Sequence, residues 1–176
     1  MPYVRCTQCA LAAYTVSGYS GRDHCPSCGA RLPVAVDPID QALELARDQL
    51  EMDTAMLTEL RSSEEVIKAI AGDGDWLGVA VADHVPVEDT YCRRLLDGTI
   101  EAIVADAQHD ARVTDLDATR SLGIGAYIGV PLRVDPLRVY VLCCFAHEAR
   151  PALGAADVRF LRGLGETVMA QLSPVA

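Results

Sequence analysis

Several residue types are scarce in this chain of 176 residues, and each scarcity narrows what the protein can be. Aromatic residues make up 5% of the sequence although hydrophobic residues make up 51%, so the core must be largely aliphatic. No run of about 18 or more apolar residues occurs, which argues against a membrane span. The N-terminus leads directly into a cysteine pair without an apolar signal region, so we expect a cytoplasmic protein with no membrane contact.

Lysine is almost absent, since Lys68 is the only one, and the formal net charge is −10. Residues 1–33 contain three arginines against one aspartate, a net charge of +2, which leaves −12 for the remainder. Nucleic-acid binding depends on Lys and Arg side chains that neutralise phosphates. A nucleic-acid partner is therefore disfavoured, and the small basic segment is the part with the charge to contact one.

Four of the seven cysteines form two closely spaced pairs: Cys6 and Cys9, then, after fifteen residues, Cys25 and Cys28. This spacing is typical of a zinc ribbon, in which four thiolates hold one structural ion tetrahedrally. Two disulfides or a redox pair are the alternatives, but a thioredoxin-type motif comes singly within a βαβ unit. We expect zinc, or iron in the same cage, and metal binding should drive the folding of so short a segment.

The composition divides the chain into three parts. Residues 1–33 form the predicted zinc ribbon, residues 34–38 a proline-containing linker, and residues 39–176 the main domain. Apolar residues at helical spacing predict a long helix from Pro38 to about Arg61, which either covers its own domain or also forms a dimer seam. A second helix is predicted at Glu88–Leu96 and a last one at Ala155–Leu172.

Between the helices, short apolar runs and alternating patterns predict strands. The predicted strands are Val66–Ala71, Trp76–Ala82, Ile103–Ala105, Ala126–Val134 and Arg138–Ala146, with a hairpin turn at Asp135–Pro136. This order of helices and strands indicates an α+β fold with an antiparallel sheet.

Four short motifs follow one another in the main domain: Thr90–Gly98, Ile103–Ala107 with Asp110–Arg112, Ile124–Leu132, and Val139–Phe145. Together they resemble the GAF domains of bacterial sensors, and the resemblance runs from about Leu43 to Leu172. It implies an antiparallel sheet of five or six strands, with terminal helices on one face and a small-molecule pocket on the other. Between Lys68 and Tyr91 the chain is shorter than the family pattern, which reduces or closes the pocket.

The resemblance places five residues near the ligand space: Tyr91, Cys92, Tyr127, Cys143 and Cys144. The last two are consecutive on a strand and point to opposite faces, so at most one of them can approach Cys92. A redox switch and plain packing are both compatible with these thiols, and packing is the commoner role of buried cysteine.

Other chemistry-bearing residues receive structural interpretations. His84, His109 and His147 are expected in exposed loops rather than as haem ligands, and Asp110 with Arg112 is expected to hold a loop. Free methionine sulfoxide reductases are also GAF-like, but the stretch from Tyr91 to Leu116 has one cysteine and does not match their cluster. An enzyme is therefore not expected.

Three functions remain open. The resemblance favours a regulatory protein whose GAF-like domain senses a small ligand or mediates homodimerisation, while the ribbon contacts a protein partner. The second is a ligand-free dimerising scaffold with a protein- or RNA-binding ribbon. The third is a thiol-based redox sensor or enzyme that acts through Cys92. The sequence names neither the ligand nor the partner.

Overall fold

The computed structural model describes residues 3–14, 24–30, 37–135 and 138–172. The chain divides into two compact units, Met1–Asp37 and Pro38–Ala176. In the first unit, strands β1 (Tyr3–Arg5) and β2 (Ala12–Tyr14) pair antiparallel. The predicted linker falls mostly on residues 31–36, which lie outside the described residues.

The second unit contains a six-stranded antiparallel sheet with helices on both faces. Its helices are α1 (Pro38–Gln49), α2 (Tyr91–Leu96), α3 (Asp117–Leu122) and α4 (Ala155–Leu172), with a 3-10 turn at Val87–Asp89. Its strands are β3 (Thr54–Leu60), β4 (Glu64–Gly72), β5 (His84–Pro86), β6 (Ile103–Val104), β7 (Ala126–Asp135) and β8 (Arg138–Ala146). The strand order is β5-β4-β3-β8-β7-β6, so the expected α+β fold and strand number are confirmed.

Each face of the sheet has its own hydrophobic core. Helices α1 and α4 cover one face, where Leu43 and Leu161 pack against Leu57, Ile128 and Leu142. The opposite face is covered by α2, α3 and the connecting segments, whose buried side chains contact the alternate residues of β3 and β8. Because side chains alternate along a strand, consecutive residues of these central strands belong to different cores.

The long first helix predicted from Pro38 to Arg61 is wrong in its second half. Helix α1 ends at Gln49, Glu51 adopts a left-handed φ of 52°, and Thr54 begins strand β3. β3 lies at the centre of the sheet with both faces covered, so nearly all of its residues are buried. A continuous apolar run of this kind cannot be distinguished from a buried helical turn by periodicity alone.

The strand predicted at Trp76–Ala82 is also wrong, because this segment forms turns. The Asp73 carboxylate accepts a hydrogen bond from the Trp76 N–H at 2.9 Å, and that of Asp83 accepts from the Ala80 N–H at 2.7 Å. Side-chain bonds of this type compete with strand pairing. The edge strand β5 begins only at His84, and α3 was not predicted. Strand β8 and helix α4 have the predicted bounds.

The predicted hairpin joins β7 and β8, where Asp135 pairs with Arg138, while Pro136 lies outside the described residues. Among the described helices, none is both long and apolar enough to cross a membrane.

Candidate ligand cavity and metal centre

The two cysteine pairs of the first unit adopt the same backbone arrangement. In each pair, the first cysteine donates its N–H to the carbonyl five residues later and accepts a hydrogen bond from the N–H four residues later. The partners are Leu11 and Ala10 in the first pair, and Ala30 and Gly29 in the second. Ala10 and Gly29 both have left-handed φ values, 59° and 71°, so the two turns are equivalent at this position as well.

These turns bring the four thiols together. The sulfurs of Cys6 and Cys28 lie 3.5 Å apart, as do those of Cys9 and Cys25, and all four lie within 4.8 Å of one another. Backbone N–H groups of Cys9 and Gln8 lower the pKa of the Cys6 thiol. The backbone N–H of Cys28 does the same for Cys25, whose pKa falls to about 6. The arrangement can hold one metal ion with four sulfur ligands.

In the second unit, a cavity of about 150 Å³ lies on the sheet face opposite α1 and α4. Strands β3, β4 and β8 form its floor, and α2, α3 and the segment from Leu77 to Thr90 surround it. Most of the lining side chains are apolar: Met56, Ile67, Leu77, Val79, Val85, Ala118, Leu122, Ile124 and Phe145. An outer groove of about 330 Å³ shares Val85, Asp89, Ala118 and Leu122 with it.

The ionisable groups that line these two spaces among the described residues are acidic or weakly acidic. Glu65 lines the inner cavity, exposed Asp89 lines both spaces, and exposed Asp117 lines the outer groove. No described Lys, Arg or His side chain lines either one. The described lining is therefore mostly apolar, its carboxyl groups are acidic, and it has no cationic side chain that would pair with an anion.

The five residues singled out from the sequence occupy different positions around this cavity. Tyr91 and Cys92, on α2, line it. Tyr127 and Cys143 are fully buried behind the wall, in the same core. Cys144 belongs to the core beneath α1 and α4, on the other face of the sheet. The prediction that it lies near the pocket is therefore wrong.

Three aromatic rings fill the core beside the cavity. Tyr91 and Tyr127 lie 5.0 Å apart between ring centroids, and Phe145 lies 5.6 Å and 5.1 Å from them. The Thr119 hydroxyl donates to the Val113 carbonyl at 2.7 Å, so the Tyr91 hydroxyl is the donor in its 2.6 Å bond to Thr119. Burial raises the pKa of Tyr91 to about 12. Its hydroxyl is already engaged within the protein.

The Cys92 thiol lies in a chain of weak polar contacts. Its sulfur is 3.8 Å from that of Cys143, and it accepts from the hydroxyls of Thr58 and Tyr127 at 3.9 Å. The contact with Cys143, together with complete burial, raises the pKa of Cys92 well above its ordinary value. Burial raises the pKa of Cys144 in the same way. At neutral pH the Cys92 and Cys144 thiols are protonated, and a thiol is a weak nucleophile compared with a thiolate.

The three histidines of the second unit lie at the surface, outside the cavity lining. Each has its Nδ1 next to a carboxylate: His84 with Glu64 at 2.8 Å, His109 with Asp106 at 2.9 Å, and His147 with Asp53 at 3.1 Å. Asp110 accepts hydrogen bonds from the backbone and guanidinium of Arg112, and this pairing lowers its pKa. The Asp110–Arg112 pair lies within a loop, as the sequence suggested, whereas His84 is exposed but begins strand β5.

The sequence interpretation overlooked Glu65, the one buried carboxylate among the described residues. Two consecutive glutamates at the start of a strand suggest that both side chains are exposed. Only Glu64 lies at the surface, where it pairs with Arg61 and His84. Its position in the strand could have indicated its burial. Glu65 is two residues before Ile67, so both side chains point to the same face of β4, and both line the cavity. An acidic residue in step with inward-facing apolar residues indicates a buried charge.

Family membership follows from this domain. A family model described as the GAF domain matches residues 37–172. The chain belongs to the GAF domain family. No curated protein shows significant sequence similarity to it.

Solved structures share the GAF fold at low sequence identity. The cyanobacteriochrome receptor PixJ has a TM-score of 0.62 and 14% identity, with 79% of this chain and 95% of that chain covered. The free methionine-R-sulfoxide reductase of Neisseria meningitidis, solved with its substrate, has a TM-score of 0.57 and 14% identity, with 77% of each chain covered.

Some of the similar structures are longer than this chain. The chromophore-binding domain of a bacteriophytochrome from R. palustris has a TM-score of 0.58 and 14% identity, with 77% of this chain covered. The chain spans about half of that structure, 54% of its length. At such identities the similarity establishes the fold, whereas ligand and activity depend on the residues at the site.

Proposed function

We propose that this protein is a non-enzymatic regulatory protein whose GAF domain senses a small molecule and whose N-terminal unit is a structural zinc ribbon that contacts a protein partner. The observation that carries the proposal is the apolar cavity on the sheet face opposite α1 and α4, with one buried carboxylate in its wall. Concave apolar sites with a few polar groups are the usual form of ligand sites.

The size of the cavity favours a ligand much smaller than a tetrapyrrole. Its volume of about 150 Å³ is half of the lower limit, roughly 300 Å³, for sites of drug-sized ligands. The Tyr91, Tyr127 and Phe145 rings occupy the neighbouring space. A compact metabolite fits this volume, and a phytochrome-type chromophore does not.

The state of the thiols supports sensing rather than catalysis. Cys92 is the nucleophile in the described cavity lining, and its pKa is raised rather than lowered. The 3.8 Å distance between the Cys92 and Cys143 sulfurs keeps a redox sensor as the second candidate. Peroxide treatment followed by mass analysis distinguishes them. If Cys92→Ala abolishes a peroxide-induced change in mass or stability, the redox function is favoured instead.

Zinc is the metal we propose for the four thiols. A tetrahedral site with zinc–sulfur bonds of about 2.3 Å separates its sulfurs by roughly 3.8 Å, close to the two observed distances of 3.5 Å. Four thiolates leave no open position, so the ion would be structural. A reducing, cytoplasmic location fits this chemistry, because thiols persist as metal ligands in such compartments.

We also propose a homodimer, with α1 as part of the interface. Leu45 on α1 is 45% exposed although α1 otherwise packs through its apolar residues. If the cavity binds nothing, the protein is instead a dimerising scaffold, and the aromatic side chains that fill much of this core would support that function.

Native mass spectrometry of the reduced full chain tests the three parts together. The spectrum should show one zinc per chain and a dimer in the charge-state series. In a parallel thermal-unfolding screen, a specific small molecule should raise the stability of the protein. If the chain binds zinc but no molecule in a broad metabolite screen stabilises it, the ligand-free scaffold is favoured. A chain without metal would contradict the ribbon.

A further inference from the structure

Glu65 stands out in the cavity wall because its carboxyl group is buried and incompletely hydrogen-bonded among the described residues. Glu65 is 4% exposed, and its Oε2 atom is buried without a hydrogen-bond partner among the described residues. Leaving a buried polar atom unpaired destabilises the folded state by about 1–3 kcal/mol, and more for a charged group. Buried carboxyl groups are normally hydrogen-bonded at both oxygens, and the recorded neighbour of this one is the Cys92 thiol, a weak donor. Glu65 therefore lacks a strong partner in the cavity wall.

The missing partner has to be a cation or a strong hydrogen-bond donor. The described lining has no Lys, Arg or His, and Asp89 adds a second carboxylate where the inner cavity meets the outer groove. An anionic ligand would be repelled by both groups. A ligand ammonium would instead gain a charge-assisted hydrogen bond with Glu65, which is stronger than a neutral one.

The rest of the lining defines the body of the ligand. Met56, Ile67 and Leu77 present aliphatic groups, and Phe145 presents a ring. An apolar cavity of about 150 Å³ holds a molecule of roughly benzene size, about six non-hydrogen atoms. The ligand is thus small, compact and apolar except at one end.

We propose that this cavity binds a small organic amine, with its apolar body against the aliphatic wall and its ammonium on Glu65. This inference rests on the proposed sensing function, because it names the ligand class of the same site. Three probes with one carbon skeleton distinguish the amine assignment from ligand sensing in general. Isopentylamine is the cationic probe, isopentanol the neutral one and isovalerate the anionic one.

The probes are titrated into the full zinc-loaded chain by calorimetry, with thermal stability as a second readout. We expect isopentylamine to bind at least tenfold more tightly than isopentanol, and isovalerate not to bind. Equal binding of amine and alcohol, or preferred binding of isovalerate, would overturn the amine assignment and leave a ligand-binding cavity. If none of the three binds, the amine assignment is overturned; sensing itself fails only if the metabolite screen also finds no ligand.

Glu65→Gln is the decisive variant, since it keeps the side-chain volume and removes the charge. It should weaken isopentylamine binding by roughly 10- to 100-fold and leave isopentanol binding unchanged. Glu64→Gln is the matched control: it is the adjacent strand residue, pairs with Arg61 and His84 outside the cavity, and should bind the amine like the wild type. Unchanged amine binding by a folded Glu65→Gln variant would refute the proposal, and the probe series on the wild-type chain tests it even if the variant does not fold.

Discussion

At the residue scale, Glu65 shows how a site can be built at the expense of stability. Its side chain shares the cavity wall with Met56, Ile67 and Cys92, and the described lining offers it no cation. A side chain of similar length without the charge would pack against the same neighbours. Natural proteins often retain such unfavourable groups where function needs them.

We expect Glu65→Met to stabilise the ligand-free protein by about 1 kcal/mol or more, because it removes the unpaired buried oxygen and keeps an unbranched chain. For a domain of this size, that corresponds to a rise in Tm of roughly 2–4 °C. The measurement is thermal unfolding without added ligand. Glu64→Met is the control, since it removes only exposed ion pairs worth about 0–1 kcal/mol. A lower Tm for Glu65→Met would mean that the carboxylate stabilises the fold.

At the scale of elements, two glycines in helix α4 form a natural pair for comparison. Gly163 is exposed, and a Cβ atom there would have open space. Gly165 is buried, and a Cβ atom there would overlap the Leu132 side chain of β7. The same substitution therefore reports helix propensity at one position and helix–sheet packing at the other.

Gly163→Ala should stabilise the protein by about 0.5–1 kcal/mol, because alanine loses less backbone entropy in a helix. Gly165→Ala should be less stable than Gly163→Ala by about 1 kcal/mol, since the Leu132 side chain must move to make room for the new Cβ atom. Urea unfolding of both variants gives the comparison. Equal stabilities would show that α4 can shift away from the sheet at no cost.

Helix α2 is tied to the loop before α3 by a bidentate ion pair. The Arg94 guanidinium donates to both carboxylate oxygens of Asp115, at 2.6 Å and 2.7 Å. This hydrogen bonding lowers the pKa of Asp115 from 3.8 to about 2. Because the folded state binds the proton less readily, the pair stabilises the protein fully above pH 3.8.

We therefore expect this contribution to fall as the pH drops from 3.8 to about 2, the folded-state pKa. Urea midpoints measured across this range should decrease less steeply for Asp115→Asn than for the wild type. Asp97→Asn, which removes an exposed pair with Arg93 on the same helix, serves as the comparison. Identical slopes for wild type and Asp115→Asn would contradict a role of the pair in stability.

The elements also show where sequence patterns are sufficient and where they are not. β8 and α4 follow from simple periodicity because each has one regular pattern over its full length. β3 does not, because a central strand covered on both faces has the same apolar run as a buried helix. The fold class was predictable from the order of helices and strands, and the cysteine cluster from its spacing. The burial of Glu65 has a weaker signal, its phase with Ile67, because both faces of β4 carry apolar residues.

At the scale of the whole molecule, the two units should respond differently to loss of metal. The N-terminal unit has a small buried cluster centred on Cys6 and Cys25, with Ala30 packed against it, whereas the GAF domain has two extensive cores. A segment this short cannot bury enough apolar surface to fold without its ion. The GAF domain does not depend on the four thiols in this way.

We expect a chelator to remove hydrogen-exchange protection from peptides within residues 3–30 and to leave the six-stranded sheet protected. Hydrogen exchange with mass detection measures both units in one sample, and re-addition of zinc should restore the first. Cys25→Ser should reproduce the chelator effect, while Cys144→Ser, outside the cluster, should not. Loss of protection across the sheet on chelation would show that the two units unfold as one.

The lateral ends of the sheet bear on how copies of this chain can associate. The terminal strands are β5 with three residues and β6 with two, while the four inner strands have seven to ten. Such short ends offer few free backbone groups for intermolecular strand addition. Short terminal strands of this kind disfavour fibril growth by edge-to-edge pairing, so the proposed homodimer would form through helical surfaces, where association can stop at a closed pair.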